Sequence, residues 1–227
     1  MKRISCVFTI AIGLALLAGF FSSCATQGFI SNVTRAEIQQ LSQFEVLSNV
    51  GLIEKGNKIV FDDSLSQVAQ TLFETALAKE KTLPVARTIV VEDDAIHDQV
   101  QREISLLMSY LESNGRPKNL PVPPTIDSIL CARNERFGML VYDWGFVRTD
   151  GNYAKQAIKS VVIGILTLGM MIPIYYKEVT HTGILIYDAR NHNFAYVATV
   201  HGESNPLEEK TYQRHVRDLM WRYKKNQ

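Results

Sequence analysis

The stretch Phe137–Arg148 reads F-G-M-L-V-Y-D-W-G-F-V-R. A strand with one wet face alternates apolar and polar side chains. Here apolar residues fall on both parities, which predicts a central strand covered on both faces. The run Asp143-Trp144-Gly145 interrupts it. Gly145 marks a bulge or a close backbone approach, and this structural account is simpler than a catalytic Asp143.

The pattern extends outward in both directions. Upstream, Thr125–Arg133 reads as a short helix burying Ile126, Ile129 and Leu130. Downstream, Val179–Tyr187 and Phe194–Val200 are two strands joined by D-A-R-N-H-N, whose asparagines suit a hairpin turn. Asn205-Pro206 opens a terminal helix with Tyr212, Val216, Leu219, Met220 and Tyr223 on one face. Nearer the N-terminus, Thr34 and Glu37 form a capping-box pattern for a helix over Arg35–Leu41. Short strands are expected at Phe44–Leu47, Asn57–Phe61 and Ala86–Val91. Asp62–Ser64 offer caps to an amphipathic helix through Leu77. Glu92–Asp94 place charge at the start of another, with Ile96, Val100, Ile104, Leu107 and Leu111 facing inward. This order predicts the α+β class: a two-layer α/β sandwich with a mixed, largely antiparallel sheet and helices packed on it.

The 227 residues are 46% hydrophobic and 21% charged, which excludes a disordered chain. Lys and Arg number 24 against 23 Asp and Glu, so no basic excess marks a nucleic-acid binder. The first 24 residues combine Lys2-Arg3, an apolar stretch from Cys6 to Phe21, and Ser22-Ser23-Cys24. That is a secretory signal, and its end resembles a bacterial lipobox, with Phe21 where Leu is usual. Residues 1–23 are therefore expected to be a lipoprotein signal peptide, with Cys24 acylated. Residues 24–43 are expected to be a lipidated N-terminus and tether with a short helix, and 44–227 a single domain. Several acyl chains hold a domain on a bilayer durably, whereas one does not. The absence of Asp directly after Cys24 resembles the sorting pattern for the periplasmic face of the outer membrane. Cys131 is then the remaining thiol, with a core position as its expected role.

The segment from Thr125 onward resembles the periplasmic lipoprotein group that includes LpoB, the N-terminal domain of TolB, and CsgG. The carrying elements are I-D-S-I-L at Ile126–Leu130, the long strand to Arg148, I-L-I-Y-D-A-R at Ile184–Arg190, F-A-Y-V-A-T-V after the turn, and the amphipathic terminal helix. The resemblance covers roughly the last hundred residues. It implies a non-catalytic role, binding an envelope partner or self-associating, with no cofactor and no small-molecule substrate.

No H-E-x-x-H, G-x-S-x-G or phosphate-cradling glycine motif occurs. Asp94, His97 and Asp98 share a helix face, but two carboxylates and one imidazole make an incomplete metal site beside a dipole-stabilised first turn. His181 and His201 lie on the hairpin. They share a face in one register and oppose each other after a one-residue slip. The terminal helix carries Lys210, Arg214, Arg217, Arg222, Lys224 and Lys225, either as a solvated face or as a contact for anionic headgroups beside the anchor. Val161–Tyr176, V-V-I-G-I-L-T-L-G-M-M-I-P-I-Y-Y, has no charge. It is too short to span a bilayer, which needs about 20 residues. Short apolar runs are commoner inside domains, so core leads. A membrane- or partner-contacting insert is the alternative, and with it a membrane-active secretion or pore-assembly role.

Replacing Cys24 by Ala is expected to remove the diacylglycerol mass and either release the protein from membranes or leave its signal uncleaved. Mass spectrometry and membrane fractionation check this. Unchanged mass and partitioning would exclude acylation at Cys24.

Overall fold

The computed structural model describes residues 24–54, 57–114, 120–167 and 175–225. The expected signal peptide, 1–23, lies outside the described residues. The strands are β1 (Cys24–Phe29), β2 (Leu41–Phe44), β3 (Leu47–Ile53), β4 (Ile59–Phe61), β5 (Val85–Ile89), β6 (Phe137–Arg148), β7 (Glu178–Asp188) and β8 (Asn193–Gly202). The helices are α1 (Asp63–Ala78), α2 (Asp94–Asn114), α3 (Pro124–Ala132), α4 (Asp150–Leu166) and α5 (Glu209–Lys225). Together they form an α+β fold with helices packed on a mixed sheet.

The main path of the sheet is β1-β8-β7-β6-β2-β5, with β3 also paired to β6 and β4 outside β3. One edge of β6 is filled by β7, antiparallel from Phe137↔Asp188 to Val147↔Glu178. The other edge takes two parallel neighbours in succession. β2 pairs at Gly138 and Met139, and β3 pairs from Tyr142 to Arg148. Between Gln43 and Leu47 the chain advances four residues while β6 advances three, from Met139 to Tyr142. That extra residue inverts the side-chain parity from β2 to β3. The strand expected at Phe44–Leu47 falls on this step.

Helices divide between both faces of the sheet, so the sandwich has a further helical layer beyond the two expected. Phe137, Met139 and Val141 of β6 pack with α1 and α5 in one core cluster, which includes Phe73, Tyr212 and Leu219. Leu140 and Tyr142 pack in the other with Val100, Ile104, Ile126 and Leu130 of α2 and α3. The double coverage accounts for the missing alternation in β6. Ile96, expected inward on α2, is exposed.

The tether is a correction. Residues 24–43 belong to the domain: β1 pairs with β8 from Cys24↔His201 to Phe29↔Tyr196, and Leu41 is fully buried in β2. The capping pattern is present, with the Thr34 amide donating to the Glu37 carboxylate at 3.0 Å, but it closes only a 3-10 turn, Arg35–Glu37. Leu41 N donates instead to Pro84 O at 2.9 Å, which draws the chain into the sheet. At α3 the preceding Pro123 supplies no cap. The buried Glu103 carboxylate of α2 does so, accepting from Thr125 N and Ile126 N at 2.9 and 3.2 Å. Two successive helices are thereby joined through one side chain.

Gly145 is the close approach expected from the sequence. A Cβ there would lie 2.6 Å from Val179 O and 3.2 Å from Pro206 Cβ. Backbone cannot yield as a side-chain tip can. Gly145→Ala is expected to destabilise the domain by about 1–3 kcal/mol, the usual cost of overpacking. A thermal melt beside wild type checks this.

Candidate functional site

Asp143 points from β6 toward α5 and is 1% exposed. Its Oδ2 accepts from Tyr212 Oη at 2.7 Å and from Ser48 Oγ at 2.9 Å. Burial pushes its carboxyl up to about 7, against the opposing pull of these two hydrogen bonds. Its cross-strand neighbour Thr182 places Oγ1 3.0 Å from Nδ1 of His215, and Ser204 Oγ lies 3.4 Å from Nε2. His215 is 1% exposed. Burial first, then the Arg214 charge, holds its imidazole down at about 4. This polar layer fastens α5 to the sheet. Burial favours the neutral form of both Asp143 and His215, while the hydroxyls of Tyr212 and Ser48 donate to the carboxylate and partly offset this at Asp143. His215 was legible as buried, since it falls within the apolar spacing of Tyr212, Val216 and Leu219, three residues after Tyr212.

The hairpin register pairs His181 directly with His201, their ring centroids 5.6 Å apart. Tyr142 Oη lies 3.2 Å from His181 Nε2. Trp144 is the register partner of His181, and Cys24 that of His201. Residues Asn49, Trp144, His181, His201 and Cys24 therefore occupy one row across five strands. Asp94 and Asp98 are exposed, while His97 Nδ1 lies 3.7 Å from the Glu45 carboxylate. Among the described residues, no group of three or more His, Cys, Asp or Glu gathers to hold a metal ion. Cys131 is exposed rather than core. α3 buries Ile126 and Leu130, four apart, and the next residue turns away from that face.

Beside the row, α2 and the β3–β6 edge enclose a groove of about 370 Å³. Leu47, Met108, Tyr142 and Trp144 supply apolar surface, and Asn49, Ser105 and Ser109 supply neutral polar groups. Its double parity and the inversion before β3 hid this groove from sequence reading.

The segment expected foremost in the core is largely exposed where it is described, with Ile163, Thr167 and Tyr175 half-buried. α4 leaves Ile158 66%, Val161 61%, Val162 48% and Leu166 77% exposed. Residues 168–174 lie outside the described residues. The core expectation therefore fails for most of the described residues, because α4 packs extensively against no other described strand or helix of the domain. The basic end of α5 lies away from Cys24. Tyr223 meets Tyr196 edge-to-face, Tyr196 pairs with Phe29 at the far end of β1, and Lys224 bonds Glu80 at 2.7 Å.

No protein-family model matches the chain, and no curated protein matches it. Among solved structures, the chain is similar to a PelC dodecamer from Paraburkholderia phytofirmans, seen in two crystal forms, one of a point variant. Identity is 8% in both, with TM-scores of 0.38 and 0.39. The alignments cover 88% of this chain and 96% and 95% of the PelC chains.

Asp143 and His215 have opposite pH signatures. A raised carboxyl costs stability as pH rises from 3.8, its unfolded value, toward about 7. A lowered imidazole costs stability as pH falls from 6.5 toward about 4. Relative to wild type, Asp143→Asn is expected to gain stability from pH 4 to 7, by on the order of 4 kcal/mol. His215→Gln is expected to gain on the order of 3 kcal/mol in the opposite direction, from pH 6.5 to 4. Denaturant melts across this range, taken as differences from wild type, check both signs.

Proposed function

We propose that the protein is a non-catalytic lipoprotein of the cell envelope, held on the periplasmic face of the outer membrane by acylated Cys24, and that it acts as a protein-binding module. The observation that carries this is the groove between α2 and β6. Its aromatic and aliphatic walls provide area to bury, and its Asn and Ser side chains provide neutral hydrogen bonds. The Asp143 side chain is turned to the opposite face, engaged by Tyr212 and Ser48. That lining suits an extended segment of a partner protein more than a reaction centre. The exposed row of α4 favours a second reading, a membrane-active assembly component working through segment 161–176.

A photocrosslinking residue at Ser105, on the groove rim, is expected to give a discrete adduct in intact cells. One at Thr71, on the outer surface of α1, is expected to give none. Trp144→Ala should abolish the Ser105 adduct while leaving the fold intact by melt. Equal labelling from both positions, or an adduct unaffected by Trp144→Ala, would exclude the groove as the binding surface.

A further inference from the structure

We infer that the sheet end formed by β4, the C-terminal ends of β3 and β6, the start of β7 and the root of α4 rests on the lipid bilayer, with the exposed row of α4 lying in its interface. This rests on acylation of Cys24. Cys24 would be both the lipid-bearing residue and the first residue of β1, so no loose chain separates anchor from domain. Its register row meets β6 at Trp144, four residues before Arg148. Three strand spacings and four residues of strand place Cys24 roughly 20 Å from the root of α4. α4 itself is about 25 Å long. A domain pinned at Cys24 thus keeps α4 within reach of the same membrane.

Independent residues mark the same end. Val60 and Phe61 of β4 are 64% and 55% exposed, and β4 pairs with β3 opposite Phe146 and Val147. Tyr176 is 46% exposed, and its carbonyl accepts from Arg148 Nε at 2.8 Å. On α4, Ile158, Val162 and Leu166 recur by fours along one face, with exposed Lys155 and Lys159 beside them. Lysine stems of this kind reach past an apolar surface to headgroups. Charge does not select the occupant: Glu178 interacts with Glu203 and Glu208 and with Lys177 and Lys210 near the neighbouring ends of β7 and β8. The contact is therefore mainly apolar in origin and survives high salt, with Lys155 and Lys159 adding a smaller salt-sensitive part.

The test uses the full-length acylated protein in phosphatidylethanolamine–phosphatidylglycerol vesicles, with Cys131→Ser as background. Single cysteines at Phe61, Ile158 and Val162, and at Val85 and Trp221 as controls toward the opposite end, carry an environment-sensitive fluorophore. The expected result is blue-shifted emission and quenching by spin-labelled lipid at the first three positions and not at the controls. Unquenched labels on α4, in protein that mass spectrometry shows to be acylated, would overturn the inference. Blue-shifted but unquenched labels would also overturn it, in favour of a second copy or another protein as the occupant. If mass spectrometry instead shows Cys24 unmodified, the lipoprotein reading fails separately. Vesicle sedimentation of the Cys24→Ala protein at high salt then decides the contact: co-sedimentation lost on Ile158→Glu supports it, and no co-sedimentation overturns it.

Discussion

The backbone of β6 must satisfy its hydrogen-bonding groups on two edges and bury side chains on two faces at once. A buried strand has no water to fall back on, so each N–H and C=O needs a protein partner. β7 supplies one edge along nearly the whole length, and β2 and β3 share the other. The rest of the architecture follows from this sharing. β5 attaches through β2, β4 through β3, and β8 and β1 through β7. The two helix pairs then seal the faces that β6 exposes, α1 with α5 and α2 with α3.

Polar groups are placed where this scheme needs direction rather than area. Glu103 fixes the entry of α3, and the Asp143–Tyr212 and Thr182–His215 contacts fix α5. Hydrophobic burial alone would let a helix slide along the sheet, because apolar contacts have no preferred geometry. A buried carboxyl with two hydroxyl donors has one. The cost is visible in the shifted ionisation of Asp143 and His215, both driven toward neutrality by burial.

The long, simple elements were legible in the sequence. β6 runs from Phe137 to Arg148 as its composition implies, and the β7–β8 hairpin and the buried face of α5 follow their expected spacing. The region Leu41–Ile53 was not, because one additional residue between Gln43 and Leu47 reverses which parity faces each core. A period-two pattern cannot survive such a step. Cys131 was misread from residue type, although its offset from Ile126 and Leu130 places it off the buried face. The candidate groove joins residues from β3, α2 and β6, and only the register of a parallel pairing brings Asn49 beside Trp144. Spacing within any single element carries no trace of it.

The pairing of β1 with β8 has a consequence for the order of assembly. It joins Cys24 to His201, so the strand that leaves the ribosome first among those described must wait for nearly the last. Contacts so distant along the chain close late in folding, after local hairpins such as β7–β8 have formed. β8 meanwhile offers a bare hydrogen-bonding edge, of which β1 later covers Tyr196–His201. Until β1 arrives, that edge is open to any extended chain nearby, including another nascent copy. Completion of the sheet is thus also the step that covers this edge of β8.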